Sequence, residues 1–122
     1  MNALPIWFER VEGLVLAFGA GLLFFLLGGQ WVIFLVVLIA VDISIAGYLL
    51  GPRFGAVAYN LAHSLTIPLV LLAIGLASQS SYVLAGVSLA WLTHIGIDRA
   101  LGLGLKYPDR FGHTTLGNIG KK

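Results

Sequence analysis

Two long stretches of this chain hold no formal charge. Residues 13–41 give 29 positions without Asp, Glu, Lys or Arg, and residues 54–97 give 44. A helix that crosses a bilayer needs roughly 20 apolar residues. Each stretch therefore holds more than one span or most of two. Composition agrees, because only 10% of the 122 residues are charged and mean hydropathy is +0.99. Soluble domains carry roughly a quarter charged residues, so the deficit points to lipid as the solvent.

Helix breakers divide the stretches. "GGQ" at 28–30 separates a first span from a second, and "LGPRFG" at 50–55 puts Gly and Pro where the second must stop. "SQSS" at 78–81 ends a third. The expected architecture is all-α: an integral membrane four-helix bundle over residues 1–104, with spans near 6–27, 31–50, 55–77 and 82–104. A short polar tail, 105–122, follows. Trp7, Trp31, Tyr48, Tyr82 and Tyr107 fall near the predicted ends, as interface anchors do. Glu9 and Glu12 stand where a cleavable signal would be basic, so the first span is read as one that stays.

Orientation follows from the basic residues. Arg10, Arg53, Arg99, Lys106, Arg110, Lys121 and Lys122 all fall on one side of a four-span topology, and the "GGQ" and "SQSS" loops hold none. The positive-inside rule makes that side cytoplasmic, with both termini inside. A net charge of +2 and no run of four Lys/Arg argue against a nucleic-acid partner and a polybasic lipid-binding segment. With no cysteine in the chain, disulfides, thiolate nucleophiles and sulfur-ligated zinc are excluded. Any metal would take His, carboxylate or amide ligands.

Ionisable groups inside a bilayer cost roughly 2.5–3.5 kcal/mol each at mid-helix on insertion scales. This chain keeps Glu12 in span one, Asp42 in span two, Asn60 and His63 early in span three, and His94 and Asp98 late in span four. At about 1.5 Å rise per residue, all six lie in the cytoplasmic half. His94 and Asp98 are i,i+4 and share a face, as do Tyr59 and His63; Asn60 and His63 are i,i+3. Pro68 lacks the amide that would bond the Ser64 carbonyl, so a kink beside His63 is expected.

Each signal has a plainer reading. His94 and Asp98 are ligands or an acid/base pair, or else a hydrogen-bonded clamp between helices. Glu12 is a proton-coupled carboxylate, or an interface residue beside Glu9 and Arg10. The tail lies on the surface, or folds back over the polar layer. Gly102 and Gly104 follow a helix rather than a strand and make no phosphate loop. Two histidines with carboxylates at one depth resemble metal sites inside bundles, although "YNLAH" places an amide where di-iron bundles place a carboxylate.

The segments "VDISIAGYLLGPRFGAVAYNLAHS", "HIGIDRALGLGLKYPDRFG" and "TLG" resemble the domain-of-unknown-function family 4260. "YNLAHS" and "HIGIDRALGLGLKYP" are the most specific. The likeness runs from about Arg10 to Gly120. The family pattern ends in a "THLG"-like tetrad; here it reads "TTLG", with Thr115 in the histidine's place and His113 two residues earlier. The resemblance implies a small four-span protein of the bacterial inner membrane and brings no established activity.

Three functions follow from the residues. The first is a metal-dependent enzyme acting on a lipid or other amphiphile. His63, His94, Asp42 and Asp98 would hold one or two divalent metal ions, with Asn60, Tyr59 and Glu12 lining the site. The same four would carry catalysis, using water made acidic by the metal. The second is a small proton-coupled transporter or channel, working as a homodimer. The third is a non-catalytic scaffold whose polar layer fixes helix register.

Overall fold

The computed structural model describes residues 3–78 and 82–119. Helix α1, Leu4–Leu26, is followed by α2, Trp31–Ala40, which tightens without a break into a 3₁₀ segment, Val41–Leu50. Then come α3, Pro52–His63; α4, Thr66–Ser78; α5, Val83–Ala100; and a minimal hairpin of β1, His113–Thr114, and β2, Gly117–Asn118. The molecule is a helical bundle. Two of its helical stretches are long and apolar enough to cross a membrane, Trp31–Leu50 and Pro52–Ser78.

Three of the expected spans differ in detail. The second is α-helical only to Ala40; its ten-residue 3₁₀ half is long for a helix type usually found in runs of three or four residues. In this winding, residues three apart eclipse, so Asp42, Ile45 and Tyr48 line one face. The third span is not one kinked helix but two. Ser64 is extended, with φ −81° and ψ 149°, and its Oγ accepts from the Thr66 amide at 3.4 Å to start α4. Pro68 then sits in the first turn of α4, where a missing amide costs nothing. The Ala62 carbonyl, freed at the break, accepts the Trp91 Nε1–H at 2.5 Å. The fourth helix stops at Ala100 rather than 104, because Gly102 takes a positive φ of 86° that ends the winding.

Helix α5 is the centre. It packs against α1, α2 and α4, and nine of its residues are buried. Its crossing with α1 is a backbone contact: a Cβ at Gly96 would lie 2.6 Å from the Ala17 nitrogen and 2.6 Å from the Gly13 carbonyl oxygen. Above that crossing, Phe24, Leu89 and Leu92 form an apolar core with Ala20 and Ala90. Phe24, Phe25 and Phe34 cluster there with ring centroids 5.0–5.1 Å apart. The outward surface is apolar too: Phe18, Ile39, Ile43, Leu49 and Leu50 are each more than 70% exposed.

The C-terminal segment folds back onto the bundle. Asn60 clamps the Lys106 backbone in both directions, donating to its carbonyl at 2.9 Å and accepting its amide at 2.7 Å. Lys106 also bridges to Thr114, while Leu116 and Thr114 are buried. Arg110 and Asn118 are hydrogen-bonded across the turn. At the same end, Arg10 donates from Nε to the Ala100 carbonyl at 2.9 Å, capping α5. Ser81, Lys121 and Lys122 of the sequence reading lie outside the described residues, as does most of the "SQSS" loop.

Candidate metal centre

Four side chains from three elements meet at one point. Asp42 comes from the 3₁₀ segment, His63 from the last residue of α3, and His94 and Asp98 from successive turns of α5. One ligand atom from each lies within 4.8 Å of all the others. His63 Nε2 is 3.2 Å from Asp42 Oδ1 and 3.3 Å from Asp98 Oδ2; His94 Nε2 is 3.1 Å and 3.2 Å from the same two oxygens. Each imidazole thus faces both carboxylates.

The far side of each ring fixes what the near side can be. His63 Nδ1 lies 2.9 Å from the Tyr59 carbonyl oxygen and His94 Nδ1 lies 2.5 Å from the Leu38 carbonyl oxygen. A carbonyl only accepts, so both Nδ1 atoms carry the proton and donate. In the neutral rings, both Nε2 atoms then present bare lone pairs to two carboxylate oxygens. A cation held between them makes that arrangement favourable, as does a second ring proton donated to a carboxylate, for which His63 Nε2 and Asp42 Oδ1 lie at 3.2 Å. His94 Nε2 is buried and makes no hydrogen bond with proper geometry, despite its two close oxygens. An atom aimed at a common point rather than along a hydrogen bond is what a metal ligand looks like.

The edge lengths fit. With ligand distances of 2.0–2.2 Å, a tetrahedral zinc site has ligand–ligand edges of about 3.3 Å; the four N–O edges here are 3.1–3.3 Å, and the four atoms span up to 4.8 Å, a flatter arrangement than a tetrahedron. A ligating histidine that gives its other N–H to a backbone carbonyl is the usual supporting arrangement, and both histidines have it. The donor set of two imidazoles and two carboxylates suits a divalent first-row metal.

Access is one-sided. The side chains of His63, His94 and Asp98 are 4%, 9% and 15% exposed, whereas Asp42 is 50% exposed. The cleft reaching His63 and Asp98 from the tail side, walled by Leu103, Gly104 and Leu105, leaves no room for a water molecule. The Asp42 side is the open one. A larger groove of about 460 Å³ runs beside the helix break, with Val57, Leu61, Ile67 and Leu105 as apolar walls and Asn60, Ser64 and Thr66 as polar ones. The cavity between α1 and α5 at the opposite end, lined by Phe24, Gln30, Ile33 and Tyr82, holds none of the four ligands.

The remaining candidates from the sequence are placed differently. Tyr59 is buried and stacks on His63, with centroids 3.7 Å apart and planes within 6°. It braces a ligand. Asn60 holds the tail rather than facing the cluster. Glu12 is exposed on α1, outside the four.

Sequence reasoning missed Lys106, counting it only as a positive-inside charge. The residue is 5% exposed, with its ammonium 3.7 Å from the Phe111 ring centroid and 4.7 Å from that of Tyr59. Burial pulls it below the ordinary lysine range, and the Asp98 charge acts on it in the opposite sense. The signal was the "YN" of "YNLAHS", whose ring and amide engage the tail, but no periodicity reveals a partner 46 residues away.

A family model described as a domain of unknown function (DUF4260) matches residues 7–119. No curated protein and no solved structure matches the chain.

Proposed function

We propose, starting from the chain's membership of the DUF4260 family, that it is a multi-pass inner-membrane metal protein that hydrolyses an amphiphilic substrate. The observation that carries this reading is the convergence of Asp42, His63, His94 and Asp98, with both Nδ1 atoms committed to carbonyls. The membrane part rests on the two apolar helical stretches, the exposed apolar surface and the charge asymmetry of the sequence. In this reading α1, the α2–3₁₀ stretch, the α3–α4 stretch and α5 each cross the bilayer, with both ends cytoplasmic and the metal in the cytoplasmic half.

A bound divalent metal would supply Lewis acidity, bringing water toward neutral pKa as a nucleophile. The chain does the rest. His63, His94 and Asp98 form the rigid, buried part of the ligand set. Asp42 faces the open side, and in this reading its second carboxylate oxygen would take a proton from water. The groove beside the Ser64 break, whose walls include none of the four residues, is the seat this reading gives an alkyl chain. Among the described residues no ionisable side chain joins the apolar core around Phe24 and Leu89, which favours a site entered from one side over a transmembrane pore.

The test is metal content. Protein purified in mild detergent without a His tag should hold stoichiometric metal by elemental analysis. His94→Ala should lose about tenfold or more in affinity and still elute as a folded species. Wild-type protein that is folded, exposed to zinc and metal-free would refute the reading.

A further inference from the structure

The wall that closes the cluster on one side belongs to the tail. Leu103, Gly104 and Leu105 fill the cleft against His63 and Asp98 and leave no room for a water molecule. They are held in turn by the hairpin. A Cβ at Gly104 would lie 2.7 Å from the Leu116 nitrogen. Leu105 is tied to Thr115 twice: its amide donates to Thr115 Oγ1 at 3.1 Å, and its carbonyl accepts the Thr115 amide at 2.9 Å.

A column of side chains leads from this tail to a ligand. The Phe111 and Tyr59 rings stand at 77° to one another, and the Lys106 ammonium lies in their corner, 3.7 Å and 4.7 Å from the two centroids. One face of Tyr59 is covered by the His63 imidazole, parallel within 6° and 3.7 Å away. The ammonium therefore meets the other face. Lys106, Tyr59 and His63 are all buried, and a cation over an aromatic ring is held more tightly where water is excluded. Asn60 fixes the foot of the column through its two bonds to the Lys106 backbone.

The two contacts of His63 with Tyr59 do different things. The bond from Nδ1 to the Tyr59 carbonyl sets where one edge of the imidazole points, but constrains the tilt of the ring only weakly. The stack on the phenol ring fixes that tilt, and with it the plane in which Nε2 approaches Asp42 and Asp98. Groups that orient a ligating histidine from behind govern metal affinity. Tyr59 is such a group, and its own far face rests on Lys106. A coupling of this kind runs both ways. What steadies the tail steadies His63, and what pins His63 Nε2 steadies the tail.

We propose that Lys106 and Tyr59 are positioning residues through which the C-terminal tail and the metal site are coupled. The seated tail holds His63 in its ligating plane, and a bound metal holds the tail seated. This rests on the metal reading above. In that reading the tail lies on the cytoplasmic side, so occupancy of a site within the bilayer is displayed at a surface that soluble proteins can reach.

The experiment uses the full-length protein in neutral detergent, titrated with cobalt(II). The cobalt absorption bands report ligand geometry. Amide exchange across residues 105–118 reports the tail, with α1, which supplies none of the four ligands, as the reference. In wild type, cobalt should raise protection of the tail by about fivefold or more beyond any rise in α1. Lys106→Met should bind cobalt about threefold or more weakly, with shifted bands, and its tail should no longer answer to the metal. Phe111→Leu removes the other wall of the corner from an exposed position and should do the same in smaller degree; it decides the matter if Lys106→Met does not fold. A residue that merely braced the tail would lower its protection equally with and without cobalt and leave the bands unmoved, and that result overturns the inference. So does a wild-type tail that ignores bound cobalt. Both results leave the metal reading standing. Failure of folded wild-type protein to bind cobalt overturns the inference and the metal reading together.

Discussion

His94 shows how much one side chain can disclose. Its i,i+4 relation to Asp98 is readable from sequence, and so is the shared depth of Asp42 and His63. The direction of its ring is not, because it depends on a carbonyl 56 residues away, at Leu38. Lys106 was illegible for the same reason: its burial is set by Asn60, across a loop whose path no local pattern encodes. A second residue-scale pair lies outside the bundle. His113 donates to both oxygens of Asp109 at 2.9 Å and stacks on Tyr107. That hydrogen bond holds the Asp109 carboxyl below the ordinary carboxylate range. A depressed acid contributes stability above its unfolded value and loses it as pH falls through the folded value. Amide-exchange protection across residues 107–118 should therefore persist through mild acid and fall only below the ordinary carboxylate range. Asp109→Asn should lower it above that range and converge with wild type below it; unchanged protection near neutral pH would show that the pair does not hold the turn.

At the scale of elements, the all-helical class was legible, since length and breakers are local properties. The internal breaks of the apolar stretches were only half legible. Pro68 signalled a disturbance beside His63, but a proline inside a helix pattern does not say whether the chain bends or restarts. Ser64 decides it by capping α4 through its own side chain. The 3₁₀ winding of Val41–Leu50 had no signature at all, because its residues suit an α-helix equally well. The tightest contact between elements is the Gly13–Gly96 crossing of α1 and α5. Gly96→Ala should lower thermal stability in detergent by about 1–3 kcal/mol, since the new methyl meets backbone atoms that cannot move aside. Gly19→Ala on the same α1, exposed with nothing within 4 Å, should instead raise it by up to about 1 kcal/mol, the helix preference of Ala over Gly. Equal effects would mean that the crossing is looser than drawn.

For the whole molecule, the charge asymmetry makes an orientation testable. The chain has no cysteine, so each introduced one is unique. In intact cells Gln30→Cys should react with a membrane-impermeant maleimide, and Thr115→Cys should react only once the membrane is opened. The reverse pattern would invert the proposed topology.

The central position of α5 has a consequence for the order of synthesis. Asp42 and His63 leave the ribosome first, and His94 and Asp98 follow only with the last helix. Until α5 enters the bundle, half of the ligand set has nothing to pair with, and a chain cut short before Trp91 cannot trap an ion. On the proposed metal reading, uptake would be confined to finished molecules, and a metal-free population would be one whose assembly had stopped early.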